Sequence, residues 1–121
     1  MKDYQITKNF SYTECKCRHC DKCEMQVEFM TALQKLRDIV KFPLTLTSAY
    51  RCKKHNENVG GALTSKHLQG RAADIDLTCL TDHQKKTLLE AIKLVPELKG
   101  VGVAKSFIHV DNREFDSEWT Y

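Results

Sequence analysis

Apolar residues recur at three- and four-residue steps over residues 27–40, where the stripe consists of Val27, Met30, Leu33, Leu36 and Val40. This spacing places the apolar side chains on one face of an α-helix. A second helix is predicted from Thr81 through Leu94, because Thr81 and Gln84 have the spacing of a capping box and Pro96 follows its end. We therefore predict two amphipathic helices.

Strand-like patterns fill the chain between and after these helices. Alternating or short apolar runs predict strands over residues 44–50, 72–77, 101–103 and 107–110. The last two are close enough to form a hairpin. Residues 52–64 are interpreted as a loop with a tight turn at Gly60 and Gly61 that needs positive φ. Since strands follow one another late in the chain, we expect an α+β fold with a small antiparallel sheet flanked by helices.

Length and composition change this picture little. The chain has 121 residues, of which 41% are hydrophobic and 29% charged, so we expect residues 1–121 to form one soluble domain with one core. The net charge of +3 suits attraction to an anionic surface such as a cell wall. It is too small to indicate nucleic acid, and we expect no nucleic-acid partner.

The first residues carry no apolar run, so neither a signal peptide nor a membrane span is predicted there. We expect synthesis in a cytoplasm, no membrane partner and a monomeric state. Six cysteines in that compartment are more often thiols or metal ligands than disulfides.

Four of these cysteines are concentrated in residues 15–23, together with one histidine. They are Cys15, Cys17, Cys20 and Cys23. A closed zinc site built from them would stabilise a loop that has little apolar content. Zinc fingers usually pair two ligand clusters and only one occurs here, although Cys52 and Cys79 are distant residues that could contribute. A second, structural zinc and a reduced, exposed cysteine loop both remain open.

The remaining chemistry is concentrated in residues 65–76 and 107–111. The first stretch supplies His67 and Asp74, separated by small residues that permit a close turn, and the second supplies His109. Two imidazoles and one carboxylate are a donor set typical of catalytic zinc, which keeps one position for water. We therefore predict one zinc on these three residues.

Asp111 lies two residues after His109, so both side chains project to the same face of a strand. Asp111 can orient the imidazole or accept a proton from the water on the metal. Taken singly, each of these residues is more simply a half-buried polar side chain or a turn cap. Their combination favours a site.

The segment from Ser65 to Asp74 reads Ser-x-His-x-x-Gly-x-Ala-x-Asp. It resembles the signature of the zinc D-Ala-D-Ala carboxypeptidase and endopeptidase family, peptidase M15, which includes phage endolysins and shares a fold with the Hedgehog signalling domain. Residues 102–111 resemble the family's second metal segment, and residues 47–51 resemble its Ser-x-Tyr-Arg element. The lead-in also resembles the small, phage-type branch, so the resemblance covers nearly the whole chain.

The resemblance implies a Hedgehog/DD-peptidase-like fold and zinc on His67, Asp74 and His109. It also implies that Arg51 binds the substrate's carboxylate or the transition-state oxyanion, since a planar fork suits both. Ser65 would support the rim of the site. The implied activity is cleavage of peptidoglycan stem peptides or cross-links, by a carboxypeptidase or an endopeptidase of endolysin type that reaches the wall after holin-type release.

The sequence departs from the family at the general base. Several members carry Glu three residues before the second histidine, where this chain has Ser106, and others carry His two residues before it, where this chain has Phe107. The candidates for the base are Asp111, then Asp76, then water whose pKa the metal lowers to about 7 without a protein base. A non-catalytic zinc-binding module of the same fold and a nucleic-acid adaptor built on the cysteines remain as alternatives.

Overall fold

A five-stranded sheet forms the centre of the computed structural model, which describes residues 5–62 and 65–121. In chain order the elements are β1 (Gln5–Thr7), β2 (Phe10–Ser11), α1 (Tyr12–Cys15), α2 (Val27–Val40), β3 (Leu46–Ser48), α3 (Lys53–Asn58), a 3₁₀ helix (Lys66–Gln69), β4 (Ala72–Asp76), α4 (Asp82–Lys93), β5 (Gly100–Val103), β6 (Phe107–Asp111) and β7 (Ser117–Thr120). Within the described residues, every helix is too short or too polar to span a bilayer.

The central sheet has the strand order β3-β4-β6-β5-β7, and β1 pairs with β2 in a separate two-stranded sheet. The predicted α+β class is confirmed. The central sheet is antiparallel as expected, except that β7 runs parallel to β5. The predicted hairpin forms between β5 and β6, and β4 lies between β3 and β6 at the middle of the sheet.

The two long helices cover one face of this sheet. The first spans Val27–Val40 as predicted, and the second begins after Thr81, whose side chain accepts a hydrogen bond from the Gln84 amide while the Gln84 side chain reaches back. Such caps are worth about 1 kcal/mol each. The helices and the sheet share one core, to which they contribute Leu33, Leu36, Ile75, Leu88, Ile92 and Ile108. The core therefore fixes β4 and β6, on which most of the predicted chemistry lies.

Three local expectations differ from the structure. The predicted loop over residues 52–64 contains helix α3, whose six polar residues have no apolar period to reveal it, and only Gly60 of the glycine pair has positive φ, at 71°. Residues 63–64, at the end of that loop, and residues 1–4 lie outside the described residues. The strand predicted over residues 44–50 is limited to Leu46–Ser48.

Candidate metal centre

His67, Asp74 and His109 converge in the structure as a buried group. One ligand atom from each lies within 4.8 Å of the other two. Asp74 and His109 are direct partners across the antiparallel pair β4 and β6, so the register of the sheet places both side chains on the same face. His67 reaches the same point from the 3₁₀ helix. The structure thus brings together the three predicted zinc ligands.

The turn that brings His67 to Asp74 is fixed by local contacts. Ser65 caps the 3₁₀ helix, since its hydroxyl accepts a hydrogen bond from the His67 amide at 3.2 Å. Gly70 ends this helix at a φ of 66°, a conformation that favours glycine. A Cβ at Gly70 would also overlap the backbone carbonyl of Glu24. The small residues expected from the sequence to permit a close turn therefore do so at Gly70.

The carboxylate of Asp74 lies within hydrogen-bond distance of both imidazoles. Oδ1 of Asp74 lies 3.2 Å from Nε2 of His67 and 3.0 Å from Nδ1 of His109. Burial alone would raise the pKa of Asp74, but the hydrogen bonds and charges of His109 and His67 hold that pKa well below its usual range. Burial likewise opposes the charged form of His109, whose pKa is nevertheless raised by its contacts with Asp111 and Asp74.

Each imidazole has an inner nitrogen, which faces Asp74, and an outer nitrogen, which faces away from it. The hydrogen-bond partner of the outer nitrogen determines whether the inner nitrogen can bind a metal. Nδ1 of His67 lies 2.6 Å from the carbonyl oxygen of Ala49, and Nε2 of His109 lies 2.7 Å from Oδ2 of Asp111. Both partners accept, so both outer nitrogens donate. The inner nitrogens hydrogen-bond to Asp74 when they carry protons, and metal binding requires those protons to leave, so that both inner nitrogens direct lone pairs toward one point beside the carboxylate of Asp74. Two imidazole nitrogens and a carboxylate oxygen then offer lone pairs to a shared point, which is the ligand set of a catalytic zinc, so these residues fit zinc.

Asp111 lies behind His109, on the side away from Asp74. Its side chain is fully buried. Arg113 donates two hydrogen bonds to it, from Nε to Oδ1 at 2.8 Å and from Nη2 to Oδ2 at 2.7 Å. Burial would raise the pKa of Asp111, but Arg113 and His109 hold it well below its usual range. This position favours orientation of His109 over proton transfer from water. Arg113, which also stacks 4.7 Å from the Trp119 ring centroid, was not predicted, because no motif marks it.

Arg51 lies beside the metal group, as the resemblance implied. Its Nη2 is 3.3 Å from Oδ2 of Asp74, its Nε donates to the Ser48 hydroxyl at 3.1 Å, and its Nη1 donates to Oδ1 of Asn56 at 3.2 Å. Asn56 is buried and donates in turn to the carbonyl of Ala62 at 2.8 Å. Three contacts therefore hold the guanidinium in one orientation. Asn56 was missed because it lies on the short polar helix α3.

A cavity of about 730 Å³ opens over the metal group and Arg51. Its aromatic wall comes from the end of the chain, where Trp119 packs 5.3 Å from the His109 ring centroid and Tyr121 packs 5.1 Å from that of Phe107. Glu114 and Ser65 also line it. An apolar wall with a few converging polar groups is typical of a ligand site. The sequence did not reveal this wall, because no strand was predicted after residue 110.

The remaining predicted residues lie elsewhere. Asp76, the second candidate for the general base, is not among the residues that line this cavity, and its Oδ1 accepts hydrogen bonds from the amide and hydroxyl of Thr78 at 2.9 and 2.8 Å. Ser106, the position at which the resemblance led us to look for a glutamate base, is exposed on the turn between β5 and β6.

The predicted cysteine set is divided by the fold. Cys17 and Cys20 group with Cys52 rather than with Cys15 and Cys23. Cys15 belongs to the hydrophobic core, and Cys23 packs against it. Sequence proximity therefore did not identify the residues that come together here.

The comparison with protein families agrees with this geometry. A family model described as Peptidase M15 matches residues 6–111, a range that contains the three candidate ligands, Arg51 and Asp111. A search of curated proteins finds no match to the chain. Because the family model spans most of the sequence, the chain belongs to the peptidase M15 family, whose members are peptidases that use zinc.

Proposed function

We propose that this protein is a zinc-dependent peptidase that hydrolyses peptide bonds in peptidoglycan stem peptides or cross-links. The observation that carries the proposal is the convergence of His67, Asp74 and His109 beneath an open cavity, with both imidazoles oriented from behind. Membership in the family supports the reaction class. The resemblance of the signature segment to cell-wall peptidases supports the substrate class.

His67, Asp74 and His109 would hold the zinc. When bound there, zinc polarises the scissile carbonyl and lowers the pKa of a water molecule in its open position. The carbonyl of Ala49 and the carboxylate of Asp111 keep the two imidazoles in the tautomers and orientations that binding requires. Because Arg51 engages Oδ2 of Asp74, Oδ1 remains directed toward the imidazoles.

Arg51 would bind negative charge in the cavity. Its guanidinium is fixed by Ser48, Asn56 and Asp74, so little side-chain entropy is lost when substrate binds. In a terminal substrate the charge would be the carboxylate of the last residue. In an internal bond it would be the oxyanion that develops at the scissile carbonyl.

Glu114 is our candidate for the group that accepts the proton of the attacking water. Among the described residues that line the cavity, Asp74 and Glu114 carry carboxylates, and Asp74 is engaged by two imidazoles and Arg51. Asp111 is fully buried behind His109. As a residue of the cavity lining, Glu114 can present its carboxylate to water there, whereas Asp111 and Asp76 are not among the lining residues.

The test is digestion of purified peptidoglycan by the zinc-loaded protein, followed by mass spectrometry of the products. Loss of a single terminal alanine from stem peptides identifies a carboxypeptidase, and conversion of cross-linked dimers to monomers identifies an endopeptidase. Products must be absent with His67→Ala, which removes one ligand. If the wild-type protein binds zinc but yields neither product, the peptidoglycan peptidase is excluded.

That last outcome would favour a non-catalytic zinc-binding module of the same fold. The resemblance supports this alternative, since it implies a glutamate base at the position where this chain has Ser106. In such a module, substitution of Arg51 would leave zinc binding unchanged, and neither the wild type nor the variant would cleave peptidoglycan.

A further inference from the structure

A second cluster of metal-binding side chains lies outside the peptidase centre. The sulfur atoms of Cys17, Cys20 and Cys52 all lie within 4.8 Å of one another. Nδ1 of His19 is 3.7 Å from the sulfur of Cys52. Three of these residues come from the loop after α1, and Cys52 comes from the start of α3. Tertiary structure thus brings Cys52 to Cys17 and Cys20, with His19 beside Cys52.

The separations of the three sulfurs, and the distance from His19 to Cys52, are close to those of a tetrahedral zinc site, and the His19 imidazole needs to turn toward Cys17 and Cys20 to complete it. Bond lengths of about 2.3 Å to sulfur and about 2.0 Å to nitrogen place two sulfurs about 3.8 Å apart and a sulfur and a nitrogen about 3.6 Å apart. The distance between His19 and Cys52 is 3.7 Å, and the sulfurs need to move by about 1 Å at most. Thiolates with an imidazole select zinc over the harder divalent ions.

Backbone amides donate hydrogen bonds to two of the sulfurs. The sulfur of Cys17 accepts hydrogen bonds from the amides of His19 and Cys52, each at 3.4 Å, and the sulfur of Cys52 accepts one from the amide of His55 at 3.4 Å. Amide donors directed at sulfur stabilise the negative charge that a metal-bound thiolate carries. Cys15, in contrast, belongs to the hydrophobic core and not to this group.

We propose that Cys17, His19, Cys20 and Cys52 bind a second zinc ion as a closed, structural site. Four protein ligands complete its coordination, so this zinc has no position for water or substrate. The ligand set differs from the four neighbouring cysteines expected from the sequence. It exchanges Cys15 and Cys23 for His19 and Cys52 and joins two segments that are 35 residues apart.

The site has a consequence for the peptidase cavity, because Cys52 directly follows Arg51. The sulfur of Cys52 also caps α3 through the His55 amide, and α3 carries Asn56, which holds the guanidinium of Arg51. Zinc on Cys52 would therefore anchor both the backbone beside Arg51 and the helix that orients its side chain. The second zinc acts as a positioning element for charge recognition in the cavity.

Zinc stoichiometry of the purified, reduced protein tests the proposal. The wild-type protein is expected to hold two zinc ions per chain, Cys52→Ser to hold one, and His67→Ala to hold one. Cys79→Ser and Cys23→Ser are matched controls and should keep two, since Cys79 is exposed elsewhere and Cys23 packs against the core. A wild-type protein with a single zinc that His67→Ala abolishes would overturn the proposal. Loss of one zinc in Cys23→Ser would overturn the ligand set.

A measurement on the wild-type protein avoids the risk that Cys52→Ser fails to fold. Differential alkylation with mass spectrometry should show the partly exposed Cys20 and Cys52 modified at least about tenfold more slowly with zinc than after chelation, while Cys79 is modified equally in both. Cobalt added in place of zinc should give a thiolate-to-metal charge-transfer band that persists in His67→Ala. Alkylation of Cys52 that is insensitive to chelation, or a cobalt protein without that band, would overturn the site.

Discussion

Asp74 on β4 and His109 on β6 are direct partners in the antiparallel ladder, and Oδ1 of the aspartate lies 3.0 Å from Nδ1 of the histidine. The same backbone hydrogen bonds that build the centre of the sheet therefore align two of the three candidate zinc ligands. A slip of one residue in this register would turn one side chain to the opposite face. Ile75 and Ile108, the next pair in the ladder, are buried in the core and hold the register.

His67→Ala should remove the catalytic zinc. With two ligands left, the group loses the donor set of a catalytic zinc site, and we expect hydrolysis of peptidoglycan to fall by more than about 10³-fold. His83→Ala is the matched control, since His83 is exposed on α4. Metal analysis and digestion of the same samples check the prediction, which retention of full activity by His67→Ala would contradict.

Asp111→Asn should weaken zinc binding by about 10- to 100-fold, because the amide holds the His109 imidazole less firmly than the carboxylate does. The turnover number at saturating zinc should change less. Zinc affinity measured by competition with a chelator, beside kcat, separates these effects. A fall of about 10³-fold in kcat at unchanged zinc affinity would instead identify Asp111 as the general base.

Glu114→Gln should lower kcat by about 10²-fold or more if this carboxylate accepts the proton of water. Zinc content and KM should stay near the wild-type values, because Glu114 is not one of the candidate ligands. Asp116→Asn, at an exposed carboxylate two residues away, is the control. If Glu114→Gln retains the wild-type kcat, Glu114 is not the group that accepts the proton.

Arg51→Lys keeps the charge but loses the planar fork. Two of the contacts that hold the side chain cannot be made by one ammonium group in the same geometry. We expect kcat/KM to fall by about 10- to 100-fold, as for loss of a hydrogen bond to a charged group. Steady-state kinetics on a stem peptide test this, with Arg37→Lys on α2 as control. Equal kinetics for wild type and Arg51→Lys would exclude a role in charge recognition.

The free energy of unfolding of the metal-free protein should depend on pH through the ionisation of Asp111. Its folded-state pKa lies well below the ordinary value of 3.8, so its contribution is present above that value and is lost as the pH falls through the lower, folded-state pKa. Urea unfolding between pH 5 and pH 2 should therefore show a decreasing free energy of unfolding, with a smaller decrease in Asp111→Asn. Identical slopes for the two proteins would contradict this assignment.

Much of this protein could be predicted because the relevant signals are local. The helix over Val27–Val40 follows from its apolar period, and the second helix follows from the capping box at Thr81. The three zinc ligands follow from the signature segment and from the short strand that carries His109. In each case a few neighbouring residues, or the match to a known pattern, contain the information.

Only the tertiary structure decided which distant groups meet. It paired Cys17 and Cys20 with Cys52, placed Asp111 between His109 and Arg113, and brought Trp119 over the metal group from the end of the chain. These contacts depend on strand register, on the parallel pairing of β7 with β5 and on a polar helix without an apolar period. The sequence alone determined which residues can bind metal, and packing of the core determined which of them share an ion, because side chains far apart in sequence become neighbours only when the sheet forms.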